Sequence, residues 1–99
     1  MTLGDRQKTE VFRDVLVALH MIRKAGERPA LSKVGQRANV SDRRLKERLR
    51  ELDDLGLVDG GWTVTQRGYE YIADFKKHIE PLLQKYGLGG HGAGQRSDP

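Results

Sequence analysis

The 99-residue chain contains no cysteine, which excludes disulfide frameworks and cysteine-ligated zinc and is compatible with a reducing compartment. No apolar run approaches the length of a membrane span, since the longest, Val15 to Ile22, is broken by His20. Nor does a basic segment followed by an apolar stretch open the sequence, because Asp5, Arg6, Gln7, Lys8 and Glu10 interrupt it. No secretory signal is visible there, and a cytoplasmic location is the default expectation. The three histidines, His20, His78 and His91, stand alone, without the paired spacing of a metal site. No glycine-rich phosphate loop lies between a strand and a helix, and no nucleophile, base and acid fall into a recognisable arrangement. Catalysis, bound metal and bound cofactor are therefore not expected.

What is present is a soluble composition of one-domain size, 36% hydrophobic and 32% charged. A domain this small buries a modest core, so a second chain is an expected source of stability. The net charge is +4, a weak signal by itself. Its distribution says more. Between Arg23 and Arg50 lie ten basic residues and three acidic ones, a segment of +7 that leaves −3 on the remainder. A phosphate-facing surface on an otherwise acidic body has this asymmetry.

Hydrophobic spacing divides the chain into elements. Val11, Phe12, Val15, Leu16, Leu19 and Ile22 predict a first helix from about Asp5, as N-cap, to Ala25, with Gly26 as its stop. Pro29 bars its continuation, and Leu31 to Ala38 predicts a short second helix. After the break Asn39-Val40-Ser41, with Ser41 as cap, Leu45, Leu49, Leu52 and Leu55 mark a third helix ending at Gly56. Leu57-Val58-Asp59, Gly60-Gly61 and Trp62-Thr63-Val64 predict a hairpin on a two-residue glycine turn, with Trp62 as a packing residue. Thr65 then caps a long helix over 66–86, in which Pro81 demands a kink near Lys77 or a stop and restart. The glycine-rich stretch over 87–99 predicts a disordered tail. No internal repeat is visible.

The expected fold class is thus mainly α with a small β-hairpin. Helix, short helix, turn, helix and hairpin is the order of a winged helix-turn-helix over 1–65, followed by a C-terminal helix over 66–86 and the tail over 87–99. At about 100° per residue, Leu45, Leu49 and Leu52 share one side of the third helix and push Arg43, Lys46, Glu47 and Arg50 to the other, with Arg44 beside them. Such cations bind phosphates or read guanine edges, and Ser41 at the helix start is placed to reach a phosphate. Lys33 and Arg37 on the second helix, and Arg28 before it, are candidate backbone clamps. The hairpin offers no lysine or arginine to a minor groove.

The run Leu49 to Val58, with Leu55-Gly56-Leu57-Val58 before the hairpin, and the run Trp62 to Ile72, with Thr65-Gln66-Arg67-Gly68-Tyr69, resemble the winged-helix transcriptional regulators common in archaea. The resemblance covers roughly Val11 to Tyr86. It implies a last helix that pairs with its copy in an antiparallel coiled-coil homodimer, with Tyr69, Ile72, Lys76, Ile79, Leu83 and Tyr86 as the seam. Lys76 and Pro81 depart from a clean heptad. A helix of that length spans about 30 Å, more than a small body covers. The expected function is double-stranded DNA binding by the third helix in the major groove, sequence-specific or architectural, in transcription regulation. The alternative is a winged-helix protein-interaction module whose basic surface meets an acidic partner.

Overall fold

The computed structural model describes residues 7–88. The chain is mainly helical: α1 Lys8–Lys24, α2 Leu31–Ala38, α3 Asp42–Asp54, α4 Gln66–Asp74 and α5 Glu80–Tyr86, with a π-helical turn, Phe75–Ile79, joining the last two. The expected N-cap Asp5 and most of the glycine-rich tail, 89–99, lie outside the described residues. α1 starts from Gln7, whose backbone N–H donates to the Glu10 carboxylate at 3.3 Å.

The core follows from the spacing. Val15, Leu16, Leu19 and Ile22 of α1, Val34 of α2 and Leu45 and Leu52 of α3 are fully buried, joined by Leu49, Leu57, Val58 and Val64. Each such side chain contributes about 1.5–3 kcal/mol by leaving water. Leu55, expected in the α3 stripe, is instead half exposed. α3 has ended at Asp54, and the Leu55–Gly56 turn directs that side chain outward. Gly26 and Gly56 adopt positive φ just after their helices, as terminating glycines do.

The turn between α2 and α3 is tight. Asn39 takes the left-handed conformation at φ 58°, which asparagine tolerates better than most residues. The Val40 N–H then reaches back to the Gly35 carbonyl at 2.9 Å. Ser41 Oγ accepts from the Arg44 N–H at 3.4 Å, capping α3.

The predicted hairpin is reduced to its minimum: Val58 and Val64 form one isolated antiparallel bridge, and no strand occurs among the described residues. Two backbone bonds flank the bridge, Asp59 N–H to Thr63 O at 3.0 Å and Thr65 N–H to Leu57 O at 3.1 Å. Helices begin and end too close on either side for a ladder to extend. The turn is also not the expected two-residue glycine type. Asp59 Oδ1 gathers the N–H groups of Gly61 and Thr63 at 3.0 and 2.9 Å, and the left-handed residue is Trp62, at φ 62°. That conformation costs a bulky residue about 1–2 kcal/mol, offset by indole packing against the core.

Thr65 Oγ1 caps α4 by accepting from the Gly68 N–H at 3.0 Å. The helix holds to its own chain through Phe75, only 1% exposed, which lies under the Arg13 guanidinium at 4.6 Å. Arg13 also pairs with Glu80 at 3.1 Å, and the Tyr71 hydroxyl donates to the Thr9 carbonyl at 2.7 Å. The expected stop and restart before Pro81 takes the form of a π-helical turn: α4 ends at Asp74, Phe75–Ile79 runs through Lys77, and α5 begins at Glu80. In a regular α-helix the Pro81 ring would clash with the Lys77 carbonyl and leave it without a donor. The wider turn, with the Glu80 N–H reaching Phe75 O, puts the proline in the first turn of α5, where no donor is needed.

Candidate nucleic-acid interface

α3 positions the candidate side chains. Its leucines are driven inward, and Arg43, Arg44, Lys46, Glu47 and Arg50 are all exposed, as are Ser41 before them and Arg28, Lys33 and Arg37 on and before α2. Arg28, Arg37, Arg43, Arg44, Lys46 and Arg50 form no ion pair among the described residues. Their charge is not neutralised within the fold, whereas Lys33 is partly engaged by Glu27 at 2.7 Å. The Lys33 hydrogen bond and charge, with a smaller pull from Arg37, hold the Glu27 carboxyl below its usual range against a slight opposing effect of burial.

Two carboxylates of α3, those of Glu47 and Glu51, are taken up by another arginine. Arg48 lies beside the leucine stripe with its side chain only 15% exposed, bonded to Glu51 at 2.7 Å and Glu47 at 3.4 Å. Its Nε is buried without a partner. Glu51 also receives Lys8 at 3.0 Å, tying α3 to the start of α1. Sequence reasoning did not single out Arg48. The available signal was its place on the helix wheel, beside Leu45 and Leu52 and three residues before Glu51.

Between α3 and the Asp59–Thr63 turn runs a groove of about 250 Å³, lined by Lys46, Leu49, Arg50 and Asp53 of α3 and by Asp59, Gly60 and Trp62 of the turn. The turn is held from behind, since Arg23 Nη2 donates to the Gly61 carbonyl at 2.7 Å. Electrostatically the surface changes sign along α3, cationic over its first two turns and acidic at Asp53 and Asp54. An anion is favoured at the N-terminal end of the helix by the cations and by the helix dipole together.

The expected seam residues have different surroundings. Ile72 packs against the core of its own chain, and Tyr69, though 45% exposed, shares a 2.9 Å hydrogen bond with His20 Nδ1 and meets that ring edge-on. Lys76 is exposed, Ile79 and Leu83 are half-buried, and Tyr86 is exposed. No residue of α5 is buried, and Leu82, Tyr86 and Leu88 are more than half exposed. Tyr71 is half-buried, and desolvation, only partly countered by the Arg13 charge, pushes its phenol up to about 12.

No helix among the described residues is long and apolar enough to cross a membrane, and no group of three potential metal ligands occurs among them. His91 lies outside the described residues. No known protein-family model, curated protein or solved structure matches this chain.

Proposed function

We propose that this protein binds double-stranded DNA through α3 in the major groove, as a winged helix-turn-helix regulator of transcription or an architectural DNA binder. The observation that carries the reading is one division of α3. Leu45, Leu49 and Leu52 are buried, so Arg43, Lys46 and Arg50 stand on the opposite side with no carboxylate partner among the described residues. Isolated helix cations of a merely solvated surface pair with the acids at helical spacing. Here Glu47 and Glu51 are engaged by Arg48, and Asp42, Asp53 and Asp54, which stand at helical spacing from Lys46 or Arg50, form no ion pair with them among the described residues.

α2 lies against α3 at the tight Asn39–Ser41 turn, so Arg37 and Arg28 are available to flanking phosphates, with Lys33 following once it leaves Glu27. On this reading the bridge-and-turn segment 57–65 serves as the wing. Without lysine or arginine between Asp59 and Trp62, it acts as a spacer, and that lack of cations is the one feature favouring an acidic protein as partner instead. A homodimer through the C-terminal helix accords with the exposed Leu82, Tyr86 and Leu88, which leave an apolar stretch beyond the body of the chain.

The test is binding to a labelled duplex as a function of salt. If Arg28, Arg37, Arg43, Arg44, Lys46 and Arg50 each neutralise a phosphate, the logarithm of affinity falls with the logarithm of salt at a slope of about −5 per chain. Raising salt fourfold from about 50 mM then costs about a thousandfold in affinity. Arg43→Ala with Arg50→Ala lowers the affinity and, where both residues meet phosphates, reduces the slope by about 2. No duplex binding at low salt, or binding that salt does not weaken, overturns the reading and leaves the acidic protein partner.

A further inference from the structure

Within the cationic face of α3 there is one carboxylate between Arg43 and Arg50, that of Glu47. It stands about 40° round the helix from Arg43 and about 60° from Arg50, inside the same quarter-turn. Its side chain is 62% exposed, yet its Oε1 lies 3.4 Å from Nη2 of the mostly buried Arg48. The other terminal nitrogen of Arg48 is bound to Glu51 at 2.7 Å, and Glu51 to Lys8 at 3.0 Å. A chain of ion pairs therefore runs from the start of α1, across the flank of α3, to a carboxylate presented at the surface.

A carboxylate on a surface that meets a polyanion repels every phosphate near it and can only accept hydrogen bonds. In the major groove the base donors are the exocyclic amines of cytosine N4 and adenine N6. Adenine also presents the N7 acceptor beside its amine, which a carboxylate leaves unsatisfied, so cytosine is the better match. Resting on the DNA reading above, we propose that Glu47 is the base-discriminating residue of this face, selecting cytosine at one position of the bound duplex. Arg48 is the positioning residue that sets the direction of the carboxylate. The cations around it supply affinity without regard to sequence, and Glu47 makes that affinity conditional on a donor at its own position.

The experiment is selection of duplexes from a randomised pool by the full chain and by its Glu47→Gln and Glu47→Ala variants, with helicity checked by circular dichroism. The unsubstituted chain is expected to enrich cytosine at one position. Glu47→Gln moves that position to adenine, because the carboxamide both donates and accepts. Glu47→Ala loses the preference there and binds random duplex more tightly. Discrimination at the position drops roughly five- to hundredfold. A consensus unchanged between the parent and Glu47→Ala, or a parent that binds duplex with no cytosine enriched, overturns the assignment. A parent that binds no duplex at all overturns instead the DNA reading on which it rests.

Discussion

Gly35 lies inside α2, where helix propensity alone makes alanine the better residue by about 1 kcal/mol. The tertiary structure gives the opposite sign. A Cβ at position 35 would stand 2.7 Å from the Val40 carbonyl oxygen, with Leu45 Cδ2 at 3.6 Å and Asp42 Oδ1 at 3.7 Å behind it. The obstacle is backbone, held in place because the Val40 N–H is itself bonded to the Gly35 carbonyl. A side chain would swing aside; this carbonyl moves only if the whole turn between α2 and α3 moves. The insertion therefore falls at the upper end of overpacking costs, about 3 kcal/mol, and after the propensity gain Gly35→Ala is expected to lose about 2 kcal/mol. For a domain of this size that corresponds to a melting temperature lower by roughly 10 °C. Gly60→Ala is the control: position 60 has no atom within 4 Å of its Cβ and no positive φ. It is expected to be neutral or to gain up to about 1 kcal/mol by restricting the unfolded chain. Urea unfolding followed by Trp62 fluorescence and by far-ultraviolet circular dichroism reads both midpoints. A Gly35→Ala midpoint equal to or above that of the parent refutes the close approach and the packing of the two helices built on it.

Phe75→Ala removes a ring that is 1% exposed and covered by Arg13, a loss of about 3–5 kcal/mol; urea unfolding would show it, and an unshifted midpoint would mean that the last helix does not hold to the body through Phe75. The Tyr71 phenol, pushed up to about 12 in the folded chain, keeps its proton more firmly there than in the unfolded chain, where it titrates near about 10. Stability is therefore complete below about pH 10 and declines as pH rises from there through 12, and Tyr71→Phe should flatten that decline; an equal decline in the variant argues against the assignment. Leu82→Glu with Tyr86→Glu alters two exposed side chains of α5, so the fold is kept while charge enters the exposed apolar stretch proposed for the dimer contact. Sedimentation should report a dimer for the parent and a monomer for the variant, and a dimer that survives both charges places the contact elsewhere.

The helices were legible because their signals are local. The spacing of Leu45, Leu49 and Leu52 reports which side of α3 is buried before any partner is known. Ser41 and Thr65 cap by bonding an N–H three residues on, and Gly26 and Gly56 end helices through their own φ. The exposure of Arg43, Lys46 and Arg50 follows from the leucines by helix geometry alone. Arg48 was a harder case: by residue type it reads as one more surface cation, and although its wheel position beside Leu45 and Leu52 is local, the Lys8–Glu51 pair that extends its ion-pair chain comes from α1.

What this chain's residues determine by themselves is the order of the first three helices, the start of the fourth, where most of them stop, and the side of α3 that faces water, since each depends on neighbours within about one helical turn. The tertiary structure alone decides that Gly35 must be bare, that Trp62 rather than a glycine takes the left-handed turn position, and that Phe75 fastens the last helix to α1. Each of these is a competition between a local preference worth about 1–2 kcal/mol and a contact made by residues distant in the chain. Local spacing carries no record of which distant atom will be there.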